Sequence, residues 1–134
     1  MSITAVITTG GTAISASIGT TTISAAAATS ASYVALLTQS GTNAPTPVVL
    51  ANGLSVAPVW TRLAMGTYRA TATGVFTANK TFVQCDVVAG IVGGEFKADG
   101  VRTSANTVDV YVRDPGGNLI DGVSPLYVRI TVYT

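Results

Sequence analysis

The stretch TVDVYVRD, residues 107–114, alternates apolar and polar side chains with a period of two. An extended chain places successive side chains on opposite faces, so its valines share one face. These are Val108, Val110 and Val112. PLYVRITVYT, residues 125–134, repeats the pattern, with an apolar face formed by Leu126, Val128, Ile130 and Val132. Both segments are predicted to be half-buried strands of one core.

Most of the chain after residue 30 has the same character. Five further segments combine β-branched or aromatic residues with turn-forming neighbours: 32–39, 46–51, 58–64, 67–73 and 80–88. The stretches between them are rich in Gly, Asn and Pro, which tight turns require. Short strands separated by frequent turns predict an all-β domain over residues 31–134. Its expected form is an antiparallel β-sandwich or a jelly-roll-like barrel.

The segment GTYRATATGVFTANKT, residues 66–81, shows how such a strand ends. Gly74 is expected to turn the chain, and Phe76 to fill the core beyond that turn. Before the turn, alternating residues form one face and are expected to be buried: Tyr68, Ala70 and Ala72. The segment therefore indicates a structural role.

The charged side chains are unevenly distributed. None precedes Arg62, and all seven basic and six acidic residues lie from there to residue 134. An ordinary solvated surface uses many Lys, Glu, Arg and Asp residues, so an uncharged stretch of this length is predicted to be covered by another protein surface. The alternatives are a loosely ordered arm and a surface solvated by Ser and Thr hydroxyls.

Residues 1–30 are predicted to form an extended, uncharged N-terminal arm or a set of interface strands. Their mixture of Ile, Val and Thr with small Ala, Ser and Gly residues lets backbones approach closely and pair across chains. The predicted interface residues are Ile3, Val6, Ile7, Ile14, Ile18, Ile23 and Trp60.

The sequence offers few groups for catalysis. It contains no histidine, which excludes Ser-His-Asp and Cys-His mechanisms and His-containing zinc sites. A glycosidase would need two positioned carboxylates, and no pair occurs in a recognisable setting. The available acids are Asp86, Glu95, Asp99, Asp109, Asp114 and Asp121. We therefore predict that the protein is not an enzyme and has no catalytic residues and no cofactor.

Two single residues have structural interpretations. Cys85 shares its strand parity with Val83 and Val87, so it is predicted to be a small buried apolar residue. As the only cysteine it cannot form an internal disulfide. Trp60 is predicted to be a core or interface anchor in preference to a sugar-stacking platform.

The loop RDPGGNLIDG, residues 113–122, places Asp114, Asn118 and Asp121 near one another in sequence. These are oxygen-bearing side chains of the kind that bind calcium. The EF-hand spacing and its acidic bidentate end are missing, and an Asp-Pro-Gly-Gly run is first of all a turn. We predict a turn and no metal site.

The net charge is +1, which supplies neither the basic surface of a nucleic-acid-binding protein nor a polybasic membrane cluster. No apolar run approaches the roughly 20 residues that a membrane-spanning helix needs. Neither nucleic acid nor membrane is an expected partner.

The segment from Leu37 to Val83 resembles small β-rich structural proteins of tailed bacteriophages. The resemblance rests on QSGTNAP, a VL.N.L step, W.R, G.Y..T and G.FTANKT, and covers about a third of the chain. It implies a virion structural protein, a capsid decoration (cement) or head-fibre subunit on the capsid surface. The implied partners are further copies of the chain, with a trimer as the expected homo-oligomer, and the major capsid protein or another virion protein.

A rival interpretation is a receptor- or glycan-binding β-sandwich of a tail fibre or adhesin. In that case Trp60 and the tyrosines would line a shallow binding site. A tail or connector location within the virion also remains open.

Overall fold

The computed structural model describes residues 4–7, 13–18, 21–26, 29–87, 95–122 and 125–134, and describes the first three ranges by their backbone alone. Within these residues the chain forms strands and no helix, so the described part has no helix that could cross a membrane. The strands are β1 (Thr4–Ile7), β2 (Ala13–Ile18), β3 (Thr21–Ala26), β4 (Ser30–Thr38), β5 (Thr46–Asn52), β6 (Val59–Ala64), β7 (Thr67–Thr71), β8 (Thr81–Val87), β9 (Lys97–Arg102), β10 (Thr107–Arg113) and β11 (Leu126–Tyr133).

The strands from β4 onward form an antiparallel β-sandwich, which confirms the predicted fold class. One four-stranded sheet has the order β5-β4-β11-β8, and the other has the order β6-β7-β10-β9. The inner faces of both sheets supply one continuous apolar core. The alternation seen in the sequence produces this arrangement, because each strand can bury one face against the opposite sheet and leave the other to solvent.

The two strand faces predicted first are confirmed. In β10 and β11 the predicted apolar residues are all buried, none more than 9% exposed. The account of residues 66–81 is also confirmed, since its predicted face and Phe76 lie in the core. Gly74 adopts a φ of 71°, the left-handed region that favours glycine, and its N–H donates to Asn106 Oδ1 at 2.7 Å. Phe76 is then anchored by its own N–H to the Ala105 carbonyl.

The two long sides of the sandwich close in different ways. We call residues 46–66, which include β5, β6 and the loop between them, the β5–β6 side. Residues 80–87 and 95–102 form the β8–β9 side. On the β8–β9 side the strands approach so closely that a Cβ added at Gly100 would overlap Val83 and lie 3.0 Å from Cys85 Sγ. On the β5–β6 side the core is closed by Trp60, whose indole N–H donates to the Tyr33 hydroxyl at 3.2 Å.

The N-terminal strands form a separate antiparallel sheet in the order β1-β2-β3. Its register pairs Ile7 with Ile14 and Ala16 with Ile23. Among the described strands, this sheet is hydrogen-bonded to neither sheet of the sandwich. Residues 1–30 thus contain strands, and their docking to another molecule stays a prediction.

Candidate docking surface on the β5–β6 side

Large apolar side chains are exposed mainly on the β5–β6 side. Of the ten large apolar residues that are exposed in the described part of the chain, seven lie between residues 48 and 65. Their exposed fractions range from 43% to 65%. They are Val48, Val49, Leu50, Val56, Val59, Leu63 and Met65, which we call the apolar set. Exposed apolar side chains that are concentrated in one part of a soluble protein are typical of interaction sites.

β5 is open on both faces because it is the last strand of its sheet. Val48 lies opposite Leu36 on the outer face, while Val49 lies opposite the buried Ala35 and is still 50% exposed. A bulge leaves Leu50 without a partner on β4. A bulge and a proline, here Pro47, are features that protect an edge strand from further pairing. β5 therefore offers apolar side chains more than backbone hydrogen bonds.

β6 is the last strand of the other sheet, and its first four residues form a regular edge. Val59 to Arg62 pair with β7 in unbroken register, and the irregularity comes afterwards, at Leu63. Trp60 points into the core, whereas Val59 and Thr61 are exposed on the outer face. An edge strand carries unpaired N–H and C=O groups, and no described strand bonds to β6 on this side.

The single charge on the β5–β6 side is neutralised within the molecule. Arg62 Nη2 donates to Asp121 Oδ2 at 2.6 Å, and its Nε lies 3.1 Å from both carboxylate oxygens. The same carboxylate accepts the Gly66 N–H at 3.0 Å and the Tyr68 hydroxyl at 3.1 Å. The Arg62 guanidinium, followed by these other donors, lowers the pKa of Asp121 although burial opposes the change. The β5–β6 side is consequently apolar and without net charge.

A second ion pair corrects the sequence interpretation of β10. The two-residue period of β10 places Asp109 on the face opposite its valines, and the residue does lie there, opposite Arg69 of β7. Its carboxylate is nevertheless buried, because Arg69 Nε and Nη2 cover it at 2.6 and 2.7 Å. The side chain of Asp109 is 5% exposed, and that of Arg69 is 34% exposed. A two-residue period identifies the face of a strand but not a cover supplied by a neighbouring strand.

The predicted interface residues lie in different parts of the structure. Trp60 is 5% exposed and belongs to the core. The core alternative is therefore the observed one, and the prediction that Trp60 lies on a docking face is wrong. By register, Ile7, Ile14, Ile18 and Ile23 fall on one face of the N-terminal sheet and Val6 on the other. Ile3 lies outside the described residues.

Cys85 lies on the predicted face of its strand, but it is only partly buried. Together with Val83 and Val87 it lies on the inner face of β8 against the core. Burial, and after it the negative charge of Asp99, raises the pKa of the thiol to about 12. A thiol with this pKa is almost wholly protonated near neutral pH, so it is a poor nucleophile and a poor metal ligand.

The loop at 113–122 forms the predicted turn and does not assemble a calcium site. The Gly117 N–H donates to the Asp114 carbonyl at 2.9 Å, and Asp114 Oδ1 accepts the Asn118 N–H at 2.8 Å. Asp121 is directed elsewhere, to Arg62 and Tyr68. The three oxygen-bearing side chains therefore do not converge, and the described residues contain no group of three His, Cys, Asp or Glu side chains that could hold a metal ion.

A small polar pocket follows β4. Its lining residues carry hydroxyl or amide groups with one alanine: Thr38, Gln39, Ser40, Asn43, Ala44 and Thr46. The Gln39 amide is fully engaged, because it donates to the Gly41 and Asn43 carbonyls and accepts the Gly122 N–H at 2.6 Å. No aromatic ring is among the lining residues, so the pocket lacks the stacking platform that the glycan-binding interpretation placed at Trp60.

The sequence predicts that the uncharged residues before Arg62 are covered by another protein surface, but none of the apolar set is among the predicted interface residues. The signal was present, because residues 48–65 carry one charge among many large apolar residues. Their composition also predicts core strands. Whether they are buried or exposed depends on which strands end the sheets. No family model matches this chain, and neither curated proteins nor solved structures show a significant match to it.

Proposed function

We propose that this chain is a virion structural protein of a tailed bacteriophage, a capsid decoration or head-fibre subunit that works as a homo-oligomer by adhesion at the capsid surface. The observation that supports it best is the neutral, apolar β5–β6 side of a sandwich whose own core is complete. A subunit that docks on repeated copies of other subunits needs a rigid domain and a neutral contact surface.

The absence of histidine from the sequence and the low nucleophilicity of Cys85 agree with a role in binding. The uncharged first 61 residues provide further surface of the same neutral kind. The resemblance of residues 37–83 to small phage structural proteins names the assembly in which such a surface would be used.

The energy of one contact is modest. A contact of typical patch size, about 400 Å² of apolar surface at about 25 cal/mol per Å², contributes roughly 10 kcal/mol before the cost of association, which is about 4–15 kcal/mol. A single copy would therefore bind weakly. Repetition over a lattice of identical sites, or joining of copies into an oligomer, supplies the remaining affinity through effective concentration.

The test is the copy number of the chain in purified virions. Quantitative mass spectrometry should find it at a fixed ratio to the major capsid protein, in preparations washed with about 1 M NaCl, where the Debye length is about 3 Å. Retention in salt follows from the near absence of charge on the proposed contact. Loss of the chain in salt, or a ratio that varies between preparations, would contradict the proposal.

A truncation separates the two neutral regions of the chain. The described core lies wholly after residue 30, so a protein lacking residues 1–30 should keep its sandwich. We expect it to lose particle attachment, because residues 1–30 are predicted to form an arm or interface strands that dock on the partner. If attachment survives, the docking surface lies in the sandwich alone. Specific binding on a glycan array without any virion copy number would favour the receptor-binding alternative.

A further inference from the structure

The sequence contains a single Asn-Gly step, Asn52–Gly53, at the end of β5. In such a step the backbone nitrogen of the glycine can attack the side-chain amide carbon of the asparagine, because glycine has no side chain to hinder the approach. The other asparagines are each followed by a residue that has a side chain: Asn43, Asn79, Asn106 and Asn118. In the unfolded chain Asn52 is therefore the asparagine most susceptible to spontaneous deamidation.

The folded structure engages both groups that would react. The Gly53 N–H, which belongs to the attacking nitrogen, donates to the Ser32 carbonyl at 2.8 Å. Asn52 Oδ1, on the amide that would be attacked, accepts the Leu54 N–H at 3.1 Å. Asn52 also pairs with Tyr33 of β4, so its backbone is extended and the Gly53 nitrogen is directed toward β4. The reaction is consequently blocked while the end of β5 is paired.

β5 is held by backbone pairing more than by burial. None of its seven residues is buried, and none belongs to the core. As the last strand of its sheet it pairs with β4 alone. The first buried residue after it is Leu54, which is 8% exposed and packs in the core. Strands with little buried area open at a lower free energy than the whole domain unfolds, so Leu54 is the side chain that keeps the end of β5 closed.

We propose that Asn52–Gly53 is a self-modification site that the paired end of β5 keeps closed and that opening of β5 exposes. The Gly53 nitrogen, after losing its proton to solvent, attacks Asn52 Cγ. The bond from Cγ to the side-chain nitrogen breaks, and that nitrogen takes up a proton and leaves as ammonia. Water then opens the resulting succinimide ring at one of its two carbonyls, which yields aspartate or isoaspartate at position 52. The overall change is hydrolysis of one amide, and no group is oxidised or reduced.

Either product puts a negative charge into a part of the chain that has none, since no charged side chain precedes Arg62. Aspartate keeps an oxygen that can accept the Leu54 N–H, whereas isoaspartate adds a carbon to the backbone where the chain leaves β5. Converted copies accumulate with time, because ammonia is lost to solvent. The chemistry of this site is independent of the proposed function, and only its effect on docking rests on that function.

The first test compares conversion at position 52 in folded and unfolded protein. Peptide mass spectrometry separates amide from acid, and labelling with an isoaspartyl methyltransferase detects isoaspartate. In denaturing urea the protein should convert at least about tenfold faster than in native buffer at the same pH. Gly53→Ala should slow conversion in urea, because a methyl group then hinders the attacking nitrogen.

Two leucine variants locate the gate. Leu54→Ala removes the buried side chain that follows β5, and Leu63→Ala removes a side chain that is 48% exposed on the same side. In native buffer Leu54→Ala should convert at least about fivefold faster than the unaltered protein, and Leu63→Ala should convert at the unaltered rate. Gly100→Ala controls for a general loss of stability, since its Cβ would overlap Val83 on the β8–β9 side, and it should also leave the rate unchanged.

Two results would overturn the inference. Conversion as fast in native buffer as in urea would show that the hydrogen bonds at the strand end do not protect Asn52. Equal acceleration in Leu54→Ala and Gly100→Ala would make unfolding of the whole domain the gate.

The effect on docking is measured separately. Asn52→Asp should attach to particles less tightly than Asn79→Asp, which adds the same charge at an exposed position outside the β5–β6 side. Equal attachment of these two variants, together with conversion that depends on Leu54, would contradict the proposed docking surface and support the modification site.

Discussion

The two long sides of the sandwich close the core with residues of very different size. The β8–β9 side closes by a close approach at Gly100, which has no side chain, and its outer surface mixes charges with exposed Phe82 and Val101. The β5–β6 side closes with the largest side chain in the sequence, Trp60, and its surface is apolar with one neutralised charge. The way in which a side closes the core and the charge of its outer surface therefore differ together between the two sides.

The largest expected effect tests closure on the β5–β6 side. Trp60→Ala removes a buried indole and leaves the Tyr33 hydroxyl without its donor, so chemical denaturation should show a loss of about 3–5 kcal/mol in unfolding free energy. Trp60→Phe keeps most of the ring and should lose about 1–3 kcal/mol from the unpaired hydroxyl. The double variant with Tyr33→Phe should cost less than the two single changes together. A loss below about 1 kcal/mol for Trp60→Ala would mean that this ring does not close the core.

Closure on the β8–β9 side should be sensitive to added volume instead. Gly100→Ala places a Cβ into Val83 and should lower the unfolding free energy by about 1–3 kcal/mol. Val83→Ala in the same chain should recover part of that loss. The matched control is Gly53→Ala beside β5, where the added carbon would lie 3.5 Å from the nearest atom and the change should be close to neutral. Equal losses at Gly53 and Gly100 would remove the proposed contrast between the sides.

A smaller effect concerns the thiol on the β8–β9 side. Cys85→Ala should cost about 1–2 kcal/mol for a small group packed against the core. With its pKa raised to about 12 by burial, Cys85 should react slowly with a thiol reagent at neutral pH and quickly after unfolding in guanidinium chloride. A cysteine introduced at the exposed Thr71 in the Cys85→Ala background serves as the fast-reacting control. Fast labelling of native Cys85 would contradict its packing against the core.

The smallest expected effect is a dependence of Tm on acid pH that arises from the ion pair at the end of the β5–β6 side. The Arg62 guanidinium lowers the folded pKa of Asp121. The ion pair therefore stabilises the folded protein at pH values above the unfolded pKa of about 3.9. This contribution is lost as the pH falls through the folded pKa of Asp121. Asp121→Asn should therefore flatten the decrease in Tm below about pH 4. Asp86→Asn on β8 is the charge-matched control, and an equal flattening there would assign the effect to net charge alone.

Much of the sandwich could be predicted because its signal is local. A two-residue period in β10 or β11 needs no knowledge of the partner strand, since any strand with one apolar face will bury that face. Turn residues likewise act where they stand, as Gly74 does with its φ of 71°. The packing of Cys85 beside Val83 followed from the same parity.

The candidate surface was harder to predict because it depends on distant pairing. Val48 and Val49 resemble core residues by composition, and their exposure follows from β5 being the last strand beside β4. On a central strand of the same sheet a residue on the inner face is buried, as Ala35 opposite Val49 is. Trp60 could be expected in either a core or an interface, and its bond to Tyr33, 27 residues away in sequence, decided the matter.

The sequence by itself determined the all-β class, the inner faces of the strands, the turns, and the absence of charge before Arg62, since each follows from a residue and its near neighbours. The tertiary structure alone decided which strands end the sheets, why Asp109 is buried on an outward face, and how Asp121 reaches Arg62 across 59 residues. The physical reason is that burial and hydrogen bonding depend on all the groups surrounding a side chain, and most of those groups come from distant parts of the chain.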